Sequence, residues 1–344
     1  TGNIGRKGVG VNPLRGQNNV QGAADMGCQP HQGAGYFEVA DEKNQKFYTE
    51  KYGVTHPTKP GLKIPQMFEA AIDKELKGLW IIGEDIVQTD PNSAHVVEAM
   101  NSLELLVVQE IFMSETAKLA TVVLPGTTFL EKDGTFTNTE RRIQRVNRAV
   151  PPLPGTKPDG VIVTDMMQKL GFDQPTYDAD KMLKEIADVV PFFKGVTRER
   201  LGKLGLQWPV QEDGTDTQIL HTETFKLGKG RLKNFDWKES SEIEANQKEY
   251  PLILTTSRVL QHYNAATMTR RTKNINIVDE DVLLIHPKDA AVRDINTGDI
   301  GRLYSGRGEV ALKVEVTDKV KEGIVFTTFH FPEHMVNMVT GHGK

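Results

Sequence analysis

Leu79-Trp80-Ile81-Ile82-Gly83-Glu84-Asp85 opens the stretch that decides the fold, because its pattern returns twice before Gly126. Leu105-Leu106-Val107-Val108 runs into Gln109-Glu110, and Thr121-Val122-Val123-Leu124 runs into Pro125-Gly126. Each is a short continuous apolar run, the signature of a strand in a covered parallel sheet. Helical segments separate the runs. Asp90-Pro91 predicts a helix start, with Asp90 as cap and Pro91 at the first position, running to about Asn101. Ser114 predicts the cap of a short helix through Leu119. Upstream, Met67, Phe68, Ala71, Ile72 and Leu76 fall at near-helical spacing and predict a helix over residues 65–77, stopped by Gly78. Strand, helix, strand, helix, strand implies a doubly wound α/β domain with a parallel sheet. Ligands of such a sheet sit just past the carboxyl ends of its strands, where Gly83-Glu84-Asp85, Gln109-Glu110 and Pro125-Gly126 collect.

On either side the texture differs. Residues 23–65 read as irregular, with aromatic anchors at Tyr36, Phe37, Phe47 and Tyr48. His31 and His56 stand alone in this stretch, without a partner at ligand spacing, and read as surface or hydrogen-bonded histidines. Downstream, Thr135 to Thr139 is polar, and Arg141, Arg142, Arg145 and Arg148 form a cationic run of the kind that covers a solvated face. Pro151-Pro152-Leu153-Pro154 is a rigid spacer. Helices are expected over residues 160–170 and 179–189, with a third beginning near Thr197, then a polar loop over 211–224. The charged segment 238–249 reads as a linker. From Tyr250 the texture becomes β: residues 252–256, 282–285, 301–304, 310–316 and 323–331 are expected strands, with a short helix after His286 and a tight turn at Asn296-Thr297-Gly298-Asp299. Short strands divided by turns suggest a small β-barrel.

A chain of 344 residues with 38% hydrophobic and 26% charged residues has material for two or more ordinary cores. Its net charge of −4 gives no general attraction to nucleic acid. No apolar run reaches the ~20 residues that span a bilayer. No signal peptide is visible, and a cytoplasmic location is expected. The single cysteine, Cys28, excludes an internal disulfide and any cysteine-ligated iron–sulfur cluster built by this chain alone.

One further stretch, Gly10-Val11-Asn12-Pro13-Leu14-Arg15-Gly16-Gln17-Asn18-Asn19-Val20-Gln21-Gly22, adds little apolar surface, and by composition it reads as a surface loop. Yet its amides can fix the edge of a heterocycle, and the planar guanidinium of Arg15 fits a carboxylate. This stretch, followed by Asp25-Met26-Gly27, resembles the active-site segment of molybdenum- or tungsten-dependent formate dehydrogenases. These are catalytic subunits of the dimethyl-sulfoxide-reductase superfamily. The resemblance continues through Gly83-Glu84-Asp85, Val108 to Phe112, and Glu131 to Arg142. It resumes at Leu254 to Arg258, His262 and Thr267 to Arg271, and closes near Asn337 to Thr340.

The resemblance implies a partial molybdopterin oxidoreductase fold. Residues 1–22 would close an upstream α/β domain, and 23–240 would form an α/β cofactor-binding domain in which 130–155 packs near an iron–sulfur domain. Residues 245–344 would form a β-barrel that binds molybdopterin dinucleotide. The implied cofactor is a pair of molybdopterin guanine dinucleotides holding Mo or W. Asp85, Thr89, Gln109, Gly126 and Asp165 would face one dinucleotide; Asp165 could equally cap the following helix. Arg258, His262 and Phe329 would lie against pterin and pyrophosphate, Gln17 would support the pterin, and Arg15 would hold formate and aim its C–H bond. No residue is assigned as a metal ligand, since Cys28 is not followed by histidine. The family's 4Fe–4S motif and its Cys-His or selenocysteine-His pair are expected in an N-terminal half outside these residues, so this chain reads as the C-terminal half of a catalytic subunit. Formate and carbon dioxide, that N-terminal half, and an iron–sulfur or NAD-linked electron-transfer subunit are the expected partners. Two other readings remain. One is another superfamily oxidoreductase of nitrate reductase or arsenite oxidase type. The other is a non-catalytic subunit like the molybdopterin-fold subunit of respiratory complex I. The retained Arg15 and Gln17 favour formate.

Overall fold

The computed structural model describes residues 2–238 and 240–341; Thr1, Glu239 and the last three residues of the expected barrel domain lie outside them. Two compact units emerge, each assembled from two separate stretches: Thr1–Gln66 with Pro125–Lys233, and Met67–Leu124 with Asn234–Lys344.

The second unit contains the fold-deciding strands. Gly78–Ile82 pairs in parallel with Leu105–Glu110, Gly78 opposite Leu105 and Ile82 opposite Gln109. Val122–Pro125 lies beside Leu105–Glu110. Leu106 and Val108 share one face and pack with Phe68 and Ala71 from the helix Ile64–Ile72 and with Val96, Ala99 and Met100 from Ser93–Ser102. Leu105 and Val122 are exposed, so these strands are not covered throughout.

Two helix ends depart from expectation. The helix expected over 65–77 ends at Ile72, because Lys74 takes the left-handed conformation (φ 63°) and the Glu75 N–H returns to the Ala70 carbonyl at 2.9 Å. Gly78 opens a strand instead of stopping a helix. Asp90 is likewise not a cap: it follows the one-turn helix Ile86–Thr89, and the longer helix starts at Ser93, after Asn92 in the left-handed region. Ser114 does cap Glu115–Lys118, its hydroxyl accepting from the Ala117 N–H.

In the same unit a five-stranded mixed sheet runs in the order Ile300–Tyr304, Glu309–Val316, Val282–Ile285, Ile324–Thr327, Ile253–Thr256. Two of its pairings are parallel and two antiparallel. It forms a curled half-barrel: the first and last strands of this order are not paired to each other among the described residues. Val310, Leu312 and Val314 alternate with exposed residues and, with Leu283, Ile285 and Val325, make its core. The expected linker over 238–249 carries a short exposed helix, Ser241–Asn246, whose Glu242 pairs with Arg307 at 2.6 Å.

The first unit is built on a hairpin, Gly134–Thr137 with Arg142–Val146, extended by Leu206–Gln207. The helices Asp159–Lys169, Ala179–Val189 and Arg198–Leu201 lie where the sequence puts them. Ile143, Leu183, Val190, Phe193, Val196 and Leu201 form its core. Residues 23–65 are less irregular than expected: they contain the end of a helix, Val20–Asp25, and an 11-residue helix, Glu42–Tyr52. The arginine run is not one solvated face, since the Arg141 guanidinium donates to the Trp208, Thr217 and Gln218 carbonyls.

Candidate functional site

The site residues expected from sequence divide between the units. The first holds Arg15, Gln17, Gly126 and Asp165; the second holds Asp85, Thr89, Gln109, Arg258, His262 and Phe329.

In the first unit residues 10–16 run without regular structure, and Arg15 and Gln17 are exposed. The segment is anchored just beyond them. Asn19, at φ 58°, accepts the Thr137 N–H at 2.9 Å, tying the segment to the hairpin. Gly22 faces this amide so closely that a Cβ would lie 2.2 Å from the Asn19 Oδ1, which explains the glycine. The helix Val20–Asp25 then delivers Asp25, which is fully buried. Its carboxylate accepts from Gln21 Nε2 (2.9 Å), Tyr36 Oη (2.7 Å) and Trp208 Nε1 (2.9 Å). Burial raises its pKa; these three bonds and the charge of Arg15 oppose the rise. Gly126 is buried just after the strand Val122–Pro125. Asp165 sits inside the helix Asp159–Lys169 and pairs with Lys157 at 2.6 Å, so it does not cap a following helix.

In the second unit Asp85 lies at the carboxyl end of the first parallel strand, as expected. Its buried carboxylate, however, accepts from the Thr116 N–H (2.9 Å) and hydroxyl (2.8 Å), holding the start of Glu115–Lys118. Thr89 donates to Glu84 at 3.1 Å, and Gln109 is buried at the end of the neighbouring strand. Burial raises the carboxyls of Glu84 and Glu110, at the ends of these two strands.

Arg258 and Phe329 come together: the guanidinium lies over the ring, 4.2 Å from its centroid, and Arg258 is exposed. His262 is buried, with Nε2 donating to the Val278 carbonyl at 2.7 Å and Nδ1 3.1 Å from the Thr269 hydroxyl. Both ring nitrogens are thus engaged by the protein.

Sequence reasoning missed the polar residues that set this geometry. Gln88, buried in the helix Ile86–Thr89, donates to the carbonyls of Ala265 (2.9 Å), Phe329 (3.2 Å) and His330 (3.0 Å), and accepts from Arg270 at 3.0 Å. Asn337 donates to the Gln88 carbonyl at 2.8 Å. Buried Asp281 accepts from the backbone N–H groups of His330 and Phe331, each at 3.1 Å. A buried amide or carboxylate leaves no periodic trace; the only signal for His330 is its place between two phenylalanines.

Two family profiles match this chain: molybdopterin oxidoreductase over residues 1–169 and molydopterin dinucleotide binding domain over residues 252–344. The chain belongs to the molybdopterin oxidoreductases. It is 44% identical to the F420-dependent formate dehydrogenase subunit alpha of Methanocaldococcus jannaschii, over 99% of this chain and 51% of that protein. To the F420-dependent formate dehydrogenase 1 subunit alpha of Methanococcus maripaludis it is 42% identical, over 99% of this chain and 51% of that protein. The chain therefore spans about half the length of the curated relatives it matches. Among solved structures, acetylene hydratase from Pelobacter acetylenicus shares the fold, with a TM-score of 0.62 and 19% identity over 86% of this chain and 46% of that one.

The residues present fit a pterin dinucleotide along the half-barrel. Arg258 offers an exposed guanidinium backed by an aromatic ring, which suits a pyrophosphate beside a flat heterocycle. Asp85 and His262 fit less well as direct contacts, since their polar atoms are spent within the fold.

Proposed function

We propose that this chain is part of the catalytic subunit of a formate dehydrogenase that interconverts formate and carbon dioxide. Arg15 carries the reading: a cation with no packing role, on an extended exposed segment, in a chain 44% identical along 99% of its length to a formate dehydrogenase alpha subunit. Its fork holds the formate carboxylate by two parallel hydrogen bonds and so aims the C–H bond. The segment's anchor at Asn19 limits where the fork can reach. Arg15 is exposed here, so the dry pocket that makes such a contact strong is completed by surface outside these residues.

A pair of molybdopterin guanine dinucleotides holding Mo or W would, when bound, supply the acceptor for the two electrons of the C–H bond. Arg258 and Phe329 would hold pyrophosphate and pterin; Thr89, closing the one-turn helix Ile86–Thr89, and Gln109, near the end of its strand, are the same unit's further candidates for the dinucleotide. Asp85 and His262 shape the loops that carry these contacts. Gln17, Gly126 and Asp165 are the first unit's candidates for the cofactor's surroundings. A 4Fe–4S cluster and an iron–sulfur or nicotinamide-linked partner subunit would give the electrons their exit.

The test is formate kinetics and metal content on the same preparations of the full-length subunit. Arg15→Ala is expected to lower kcat/KM about 30- to 1000-fold, the effect of about 2–4 kcal/mol, with cofactor content unchanged. Arg15→Lys is expected to keep part of the activity with a raised KM. Near-normal kinetics in Arg15→Ala would remove Arg15 from the reaction, and equal loss of cofactor and activity would make it a structural residue.

A further inference from the structure

Arg258 stands on a loop whose backbone is under strain. Asn264 and Ala266 both take left-handed conformations, at φ 47° and 56°, and neither is glycine. Such a loop keeps its shape only where its surroundings over-determine it. Gln88 holds the Ala265 carbonyl at 2.9 Å. The other clamp is His330, which is fully buried. Its Nδ1 faces the Asn264 carbonyl and its Nε2 faces the Val259 N–H at 3.2 Å. A carbonyl can only accept and an amide N–H can only donate, so Nδ1 carries the proton and Nε2 accepts. One neutral ring therefore grips the loop on both sides of the arginine's reach: Val259 follows Arg258 directly, and the Asn264 side chain takes the Arg258 Nε and Nη2 at 3.4 Å.

We propose that His330 is the positioning residue that holds the Arg258 loop in its anion-binding shape, and that adding a second proton to its ring releases the loop. The inference rests on the reading of Arg258 and Phe329 as dinucleotide contacts. A second proton would sit on Nε2, turning the acceptor for the Val259 N–H into a donor aimed at a donor. The charged groups around the ring work in both directions. Asp281, whose carboxylate accepts the His330 backbone N–H, favours the charged ring. His262, with its ring centroid 5.5 Å away, and Arg258 disfavour it. Arg270, which donates to the His330 carbonyl at 3.2 Å, adds a further cation nearby. Burial is the largest effect and holds the ring's pKa below the ordinary histidine value, so the ring is neutral near pH 7 and charges only in acid.

The test uses the full-length protein loaded with its pterin dinucleotide and reads the pterin retained after gel filtration from about pH 5 to about pH 8. Wild type is expected to shed pterin in an acid step. His330→Gln, whose amide donates and accepts without titrating, is expected to retain pterin at neutral pH and to lack that step. Arg258→Ala is expected to weaken retention about tenfold at every pH. An acid step of unchanged midpoint in His330→Gln would assign the step elsewhere and overturn the inference. Unchanged retention in Arg258→Ala would overturn the reading beneath it. If His330→Gln does not fold, ring nitrogen NMR of the wild type decides the point. An Nδ1–H tautomer that protonates together with pterin release supports the inference, and an Nε2–H tautomer or a ring already charged at neutral pH overturns it.

Discussion

Asp25 illustrates how residue chemistry and sequence signal part company. Its place in Asp25-Met26-Gly27 is legible, but the three donors that surround its carboxylate come from Gln21, Tyr36 and Trp208, the last 183 positions away in the chain. Trp208 favours the charged carboxylate, against burial, which raises the pKa. Removing that donor therefore costs most where the carboxyl is ionised. Trp208→Phe is expected to destabilise the first unit by about 1–3 kcal/mol at pH 8 and by less near pH 4, because the raised pKa leaves less of the carboxyl ionised in acid. Urea unfolding at the two pH values measures this, and an equal loss at both would show that lost packing is the cause. For the segment that carries Arg15, composition reads a surface loop and the residue is exposed; what marks Arg15 out is the resemblance of the whole segment, a lone cation among amides and glycines.

At the scale of elements, strands were easier to read than helix ends. Continuous apolar runs such as Leu105 to Val108 leave few alternatives to a strand, whereas the end of Ile64–Ile72 depends on one lysine adopting a backbone conformation that its side chain disfavours. Lys74 keeps that conformation at φ 63° while its ammonium reaches the Ser102 carbonyl at 3.0 Å. Lys74→Gly and Lys74→Ala both lose that bond, but only glycine relieves the strain. The glycine variant is expected to be about 1 kcal/mol more stable than the alanine variant in thermal or urea unfolding. Equal stabilities would show that the turn costs nothing at this position. The hairpin Gly134–Thr137 with Arg142–Val146 escaped notice because its arginines interrupt the apolar alternation. Tertiary contacts supply what the pattern lacks: Ile143 is fully buried and the Arg141 guanidinium is tied to carbonyls.

Across the molecule, the second unit joins the parallel strands to the half-barrel, and Gln88 is the residue through which their hydrogen bonds converge. Gln88→Ala would leave the Ala265 carbonyl and the Arg270 guanidinium short of partners in a buried place, at a cost of about 1–3 kcal/mol. A segment from residue 245 onward, expressed without residues 67–124, is expected to unfold without cooperativity and to be cleaved rapidly by protease. A sharp urea transition in that segment would show that the half-barrel needs no such support. The sequence by itself determined the alternation of strands and helices, the β texture after Tyr250 and the exposed Arg15 segment, because periodicity and composition are local properties of the chain. Only the tertiary structure decided that Asp85 and His262 spend their polar atoms inside the fold, that Arg258 lies over Phe329, and that His330 clamps the loop between them. Those outcomes depend on which buried donors meet which acceptors across long separations in the chain, and no local pattern encodes that pairing.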